Sequence, residues 1–386
     1  MDFIPYSCQQ IDDDDIAAVV AVLRSEYLTQ GPVTPEFEQV FAAAHAVPHA
    51  VAVSNATAGL HIACLALGMG PGSRVWTSPN SFLASANAAL YCGASVDFVD
   101  IDPHTRNLSV AALEAKLERA AAAGKLPSLL IPVDFAGLPC DLREMRQLAD
   151  RYGFRILQDA SHATGARYLG RPVGSEFADA SVFSFHAVKV VTTAEGGMVT
   201  TRSAQLDQRL RLLRSHGMTR DRSLMDHTPE GPWVYEQQLL GFNVRMTELQ
   251  AALGLSQMRR LAAMHAQRIA LADRYDELLA GLPLRLPARQ GDRVSAWHLY
   301  AVEIDASRTS RSRAEVFEVM RKAGIGVNVH YIPIHTQPYY TRLGFDRGDF
   351  PRAEAYHAQA LSLPLFPSLG EARQQRVVDV LRSALS

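Results

Sequence analysis

The stretch FRILQDASHATGARYLGRPVGSEFADASVFSFHAVKVVTTAEGGMVTT, Phe154 to Thr201, decides how the chain is read. It holds three short apolar runs: Phe154–Leu157, Ser181–Phe185 and Met198–Thr201. None alternates apolar with polar residues as a half-solvated strand does, so they read as strands covered on both faces. The first ends on Gln158–Asp159, and the second runs on into His186–Lys189. In open α/β sheets ligands bind beyond the carboxyl ends of the strands, so one stretch predicts both a sheet and a site.

The pattern continues upstream. Ala50–Val53, Val75–Thr77, Val96–Asp100 and Leu129–Val133 are further strand candidates. Helical stretches separate them: Thr57–Leu67, Phe82–Tyr91, a helix capped by Ser109 that runs to about Ala122, and DLREMRQLADRYG, which closes on Gly153. Strands alternating with helices define an α/β sheet. Downstream the rhythm changes. Gly217–Asn243 is long and irregular, as functional loops are. Met246–Leu279 reads as one helical run suited to a spine between two domains. A strand at Trp297–Ile304, a helix at Arg313–Ala323, a strand at Gly326–His330 and a helix at Gly370–Leu385 complete a small α/β domain. The expected division is an N-terminal arm and large domain over 1–255, then a small domain over 256–386.

Composition narrows the classes. With 38 Lys and Arg against 40 Asp and Glu, the net charge is −2, without the basic excess of a nucleic-acid or anionic-membrane binder. Hydrophobic residues at 48% and charged residues at 20% exclude a disordered chain. No apolar run has membrane-spanning length, and the acidic N-terminus lacks a secretory signal, so a cytoplasmic location is expected. The four cysteines, Cys8, Cys64, Cys92 and Cys140, have no metal or disulfide spacing. His45 and His49 read as surface or loop histidines because Pro48 falls between them. Asp12–Asp15 reads as a helix cap, and no metal site is expected.

Lysine is scarce. Of four, Lys116, Lys125 and Lys322 occupy solvated helix faces or ends, whereas Lys189 lies among apolar and small residues. Burial there lowers an amine's pKa and frees it as a nucleophile, although a lysine snorkelling from a strand edge would look the same. Its neighbours separate the two readings. Asp159 at a strand end needs a cationic partner, such as a protonated pyridine nitrogen. In AVAVSNATAGLHIA the N–H groups of Ala56 and Thr57 open a helix and form an anion site. Phe82 follows another strand end, where it would stack on an aromatic cofactor or fill core. Lysine, aspartate, phosphate cup and stacking ring are the parts that pyridoxal phosphate (PLP) requires.

Five collinear segments, LTQGP (28–32), SNATAGL (54–60), QDASHATG (158–165), SFHAVKVVTTAEGG (184–197) and GFNVRMTELQAALG (241–254), resemble the DegT/StrS family of nucleotide-sugar aminotransferases. The likeness spans Tyr6 to about Pro367. It implies fold type I of the PLP-dependent transferases, the aspartate aminotransferase-like fold, with a large mixed-sheet domain and a small C-terminal α/β domain. By that resemblance Lys189 is the Schiff-base lysine, Asp159 the partner of the pyridine nitrogen and Phe82 the stacking ring. Ala56, Thr57 and Ser184 form the phosphate cup, and His162 lies near the cofactor. Asn243 reaches the cofactor phosphate of a neighbouring subunit, which implies a homodimer with shared active sites. Tyr6, Glu26, Tyr27, Leu28, Thr29, Ala58, His330 and Tyr331 match positions that line the nucleotide-sugar site.

Within the family, VWTSPNSFLASANAALYCGASVDFVDIDP (75–103) and VHYIPIHTQPYYTRLGF (329–345) are most similar to the branch serving pseudaminic acid biosynthesis. That likeness implies transfer from L-glutamate to C4 of a UDP-linked 4-keto-6-deoxy-N-acetylhexosamine. Two features bear on the transfer. Thr57-Ala58 replaces the frequent Thr-Ser of the phosphate turn, so backbone amides carry more of the load. Lys189 is intact, which disfavours the dehydratases that place histidine there. The same chemistry on another 4-ketosugar nucleotide, and a catalytically silent PLP-binding regulator, are the competing readings.

Overall fold

The computed structural model describes residues 3–386. Seven strands build the main sheet: β1 (His49–Val53), β2 (Arg74–Thr77), β3 (Ser95–Phe98), β4 (Leu129–Ile131), β5 (Arg155–Asp159), β6 (Ala180–Ser184) and β7 (Gly197–Thr201). Their spatial order is β1-β7-β6-β5-β4-β2-β3. Neighbours from β3 to β6 pair in parallel, while β7 is antiparallel to both β6 and β1. The loop carrying Lys189 turns the chain back without a crossover helix, so β7 can only return antiparallel.

Helices cover both faces, which is why the strands read as continuous apolar runs. Ala56–Ala66, Ala84–Tyr91 and Ala204–Arg214 pack one face. Val110–Ala122 and Leu142–Tyr152 cover part of the other, and Val33–Ala44 and Glu248–Arg259 the rest. A second core gathers Tyr275, Tyr300, Val302, Met320, Leu361 and Val377 around an antiparallel sheet of Leu284–Arg285, Tyr300–Ile304 and Ala360–Leu363. Ile4 of the N-terminal arm is buried in it. Asp12 caps the helix Asp13–Leu23 through a capping box, and the four cysteines are free thiols.

Tertiary contacts overrule the sequence reading at several points. The run expected over Met246–Leu279 is two helices, Glu248–Arg259 and Leu261–Leu279, parted at Arg260 (φ −103°, ψ 1°). The Arg260 guanidinium is drawn to the fully buried carboxylate of Asp15 and to Gln10 O. No strand forms over Gly326–His330. Its hydrogen bonds are taken instead by the N-terminal arm (Gly326 N to Ile4 O, 2.6 Å) and by one bridge from Asn328 to Ser362. The strand expected from Trp297 starts only at Tyr300, because Trp297 has φ 50°. The irregular stretch after Gly217 holds a short ribbon, Met218–Thr219 against Glu236–Gln237, and leaves Trp233 and Leu240 exposed. His45 is not at the surface: it is buried, with its ring stacked 4.0 Å from Phe41. Lys116 is not on a solvated face either, since it pairs with Asp97 (2.6 Å) above the Trp76 ring. Among the described residues no helix is long and apolar enough to cross a membrane, and no cluster of metal-ligating side chains occurs.

One glycine couples sheet and site. A Cβ on Gly197, the first residue of β7, would lie 2.8 Å from Ala56 N at the start of the helix Ala56–Ala66. Gly197→Ala is expected to cost about 1–3 kcal/mol in denaturant melts, because backbone rather than a flexible side chain must move.

Candidate active site

A cleft of about 840 Å³ opens at the carboxyl ends of β5 and β6. Asp159, the last residue of β5, and Lys189, in the loop after β6, both line it, with Ala56, Thr57, Phe82, His162 and Ser184. Tyr6, His330 and Tyr331 complete the opposite wall. The parallel sheet forces this convergence. Strands of one direction place their ends, and whatever follows them, along one edge.

Lys189 opens onto the cleft, but its amine sits deep among protein atoms. Burial lowers its pKa to about 8, and the Asp159 charge partly restores it. The loop is pinned by Lys189 N to His186 O (2.9 Å) and by Ser7 Oγ, which donates to Val188 O (3.2 Å). The Asp159 carboxylate accepts Ser85 Oγ at 2.6 Å and Ser161 N at 3.1 Å. Behind it Gln158 donates to Asp134 (2.7 Å), a carboxyl whose own pKa burial raises to about 7. Asp159 is therefore anchored on one side and open to a cationic partner on the other.

Asn55 caps the helix Ala56–Ala66 by accepting Ala58 N at 2.8 Å. That leaves the N–H groups of Ala56 and Thr57 and the hydroxyls of Thr57 and Ser184 at the cleft, on the positive end of the helix dipole. Phe82 is 60% exposed, with only a tilted contact to Tyr331 at 6.4 Å, so its ring face is open. His162 Nε2 lies 3.2 Å from Tyr331 Oη, while its buried Nδ1 meets no partner in the chain. Burial, then the Lys189 charge, keeps His162 neutral and holds His330 at about 4.

Six expected residues do not line this cleft. Ala58 lies a step further into its helix, its N–H spent on the cap. Asn243 is exposed and bridged to Ser215. Glu26, Tyr27, Leu28 and Thr29 are exposed beside the start of the helix Glu248–Arg259, with Leu28 O accepting Glu248 N at 3.1 Å. Ser85, Asn328 and His298 belong to the site and were not read from the sequence. Ser85 is one serine among the small residues of a helix, and His298 one histidine in an apolar run, so neither carries a local signal.

Anion cup, open carboxylate, uncovered aromatic face and buried amine together fit PLP, and the fold around them is fold type I of the PLP-dependent transferases. The chain belongs to the DegT/DnrJ/EryC1/StrS aminotransferase family, whose profile matches residues 9–382. It is 38% identical over 383 residues to the spore coat polysaccharide biosynthesis protein SpsC of Bacillus subtilis, covering 98% of this chain and 96% of that one. Helicobacter pylori PseC, an aminotransferase involved in the biosynthesis of pseudoaminic acid, superposes with a TM-score of 0.90 at 30% identity over 99% of both chains. The putative sugar aminotransferase Spr1654 of Streptococcus pneumoniae, in its PLP form, gives 0.89 at 30% identity over 99% of this chain and 98% of that one. The protein is thus a PLP-dependent sugar aminotransferase.

The depressed amine makes a stability prediction. A charged Lys189 is penalised in the folded state below about pH 8, and the penalty fades as pH rises toward the free-lysine value of about 10.5. Cofactor-free Lys189→Met should therefore melt higher than the parent at pH 7, with the gain shrinking between those two pH values in thermal melts.

Proposed function

We propose that the enzyme moves the amino group of L-glutamate to C4 of a UDP-linked 4-keto-6-deoxy-N-acetylhexosamine, giving UDP-4-amino-4,6-dideoxy-N-acetyl-β-L-altrosamine. The end-to-end likeness to PseC supports this substrate. The observation that carries the chemistry is the low-pKa amine of Lys189 sharing one buried cleft with Asp159.

PLP, when bound, supplies the electron sink and carries the amino group between the two substrates. Lys189 would hold the cofactor, and its amine would move a proton on and off the reacting substrate carbon. Asp159, fixed by Ser85 and Ser161, keeps a proton on the pyridine nitrogen. Ala56 and Thr57 N–H, with Ser184 Oγ, bind the phosphate. Phe82 would cover one ring face, and His162 and Tyr331, hydrogen-bonded to each other, line the wall nearby. Tyr6, His330 and Tyr331 face the sugar nucleotide.

Asn243 and Glu26–Thr29 lie outside their own chain's cleft, which fits a role across a homodimer. Exposed Tyr27, Leu28, Trp233 and Leu240 give a second copy apolar surface to bury. A second reading is the same transfer to another 4-ketosugar nucleotide; SpsC, 38% identical, is named for spore coat polysaccharide rather than pseudoaminic acid biosynthesis, which supports it. The lack of a basic excess, with a net charge of −2, weighs against a PLP-binding regulator of nucleic acid.

Two experiments test these assignments. Lys189→Ala should lose at least about 10³-fold in transamination, and the protein-bound visible band that glutamate bleaches should be absent. Among nucleotide 4-ketosugars, the UDP-linked 4-keto-6-deoxy-N-acetylhexosamine should exceed dTDP-hexose and UDP-pentose counterparts by at least about tenfold in kcat/KM. A reversed order would hand the site to the second reading.

A further inference from the structure

We propose that His298 is a positioning residue for this cleft: its ring braces His162 and so keeps the wall beside Lys189 filled with uncharged imidazole. The inference rests on the reading of Lys189 as the cofactor lysine. His298 lines the cleft and is 4% exposed. Its ring centroid lies 4.4 Å from that of His162. His162 also meets Tyr331, at 6.1 Å with the planes 21° apart, so its ring is held between two others. The Nδ1 atoms of both His162 and His298 have no partner within the chain. Apolar side chains of similar size would fill the space without stranding two buried polar atoms, so packing alone does not account for imidazole here.

The backbone around His298 is strained on both sides of one contact. Trp297 (φ 50°) and Ala136 (φ 58°) both occupy the left-handed region without being glycine. Between them His298 N donates to Ala136 O (3.0 Å) and Ala296 N to Gly137 O (2.9 Å). Gly137 has φ 97°, and a Cβ there would fall 2.8 Å from His162 O. Arg268, buried in the helix Leu261–Leu279, holds Trp297 O from the other side at 3.1 Å. The loop after β4, the residue His162 and the segment 296–298 are thus interlocked. Strain stored at such a junction points to function.

The titratable groups facing His298 are Lys189 after β6, His162 after β5, Arg268 from its helix and His330 from the opposite wall. Each of them opposes a proton on His298, as burial does more strongly, whereas the Asp159 charge acts on Lys189. Removing the imidazole admits water beside Lys189 and stabilises positive charge on its nitrogen.

The test is a pH titration of the visible band of the holoenzyme. In His298→Ala the midpoint should rise by about one unit, with kcat for the glutamate half-reaction down about tenfold and KM within about threefold. His298→Gln, which sets a neutral amide against His162, should recover most of both. An unmoved midpoint in His298→Ala at unchanged Tm overturns the proposal, as does a His298→Gln enzyme as slow as the Ala variant. Failure of the cofactor reading would look different: Lys189→Ala would then keep the parent's pH-dependent band.

Discussion

An amine and a carboxylate brought to one cleft, each largely withdrawn from water, are the constraint on which the rest of this structure depends. Removing either charge from water is costly, and their mutual attraction offsets only part of that cost. Lys189 shows the balance, since burial lowers its pKa and Asp159 restores a fraction. Such a pair persists only where surrounding structure leaves it no choice. Here the surroundings are the ends of two adjacent parallel strands, β5 and β6, buried on both faces.

Everything nearest the pair is held from behind. Asp159 is fixed by Ser85 on the helix Ala84–Tyr91 and by the turn at Ser161, and beneath it Gln158 is tied to Asp134 and Ser181. The anion cup follows the same logic. Asn55 spends its side chain on Ala58 N, which aims the preceding N–H groups at the cleft, and Gly197 leaves the room for that turn. The opposite wall comes from chain 100 residues or more away. Its imidazoles, His298 and His330, stay neutral because each is buried near cations, as is His162 after β5. That wall meets the loop after β4 through backbone contacts at Ala136 and Gly137, so the packing of the second core against the main sheet and the shape of the cleft are one problem.

Much of this was legible beforehand, for a physical reason. Strands covered on both faces must be apolar throughout, and so all seven main-sheet strands showed as short runs. Lys189 stood out because a cation among apolar neighbours is anomalous, and Asp159 because it terminated such a run. Failures fell where distant chain intervened. Arg260 broke a helix to reach Asp15, the N-terminal arm took the hydrogen bonds of an expected strand, and His45 was buried by Phe41 although its local sequence reads as a loop.

The sequence by itself determined the strands of the sheet and the family, and it singled out Lys189 and Asp159, because these depend on local periodicity and on residue types that stand out from their neighbours. Tertiary structure alone decided which residues share the cleft. It placed Asn243 and Glu26–Thr29 outside the cleft, brought in Asn328 and His298, and set Ser85 behind Asp159. Those placements follow from strand order and from how the second core packs on the main sheet, which are long-range outcomes with no local signature in the chain.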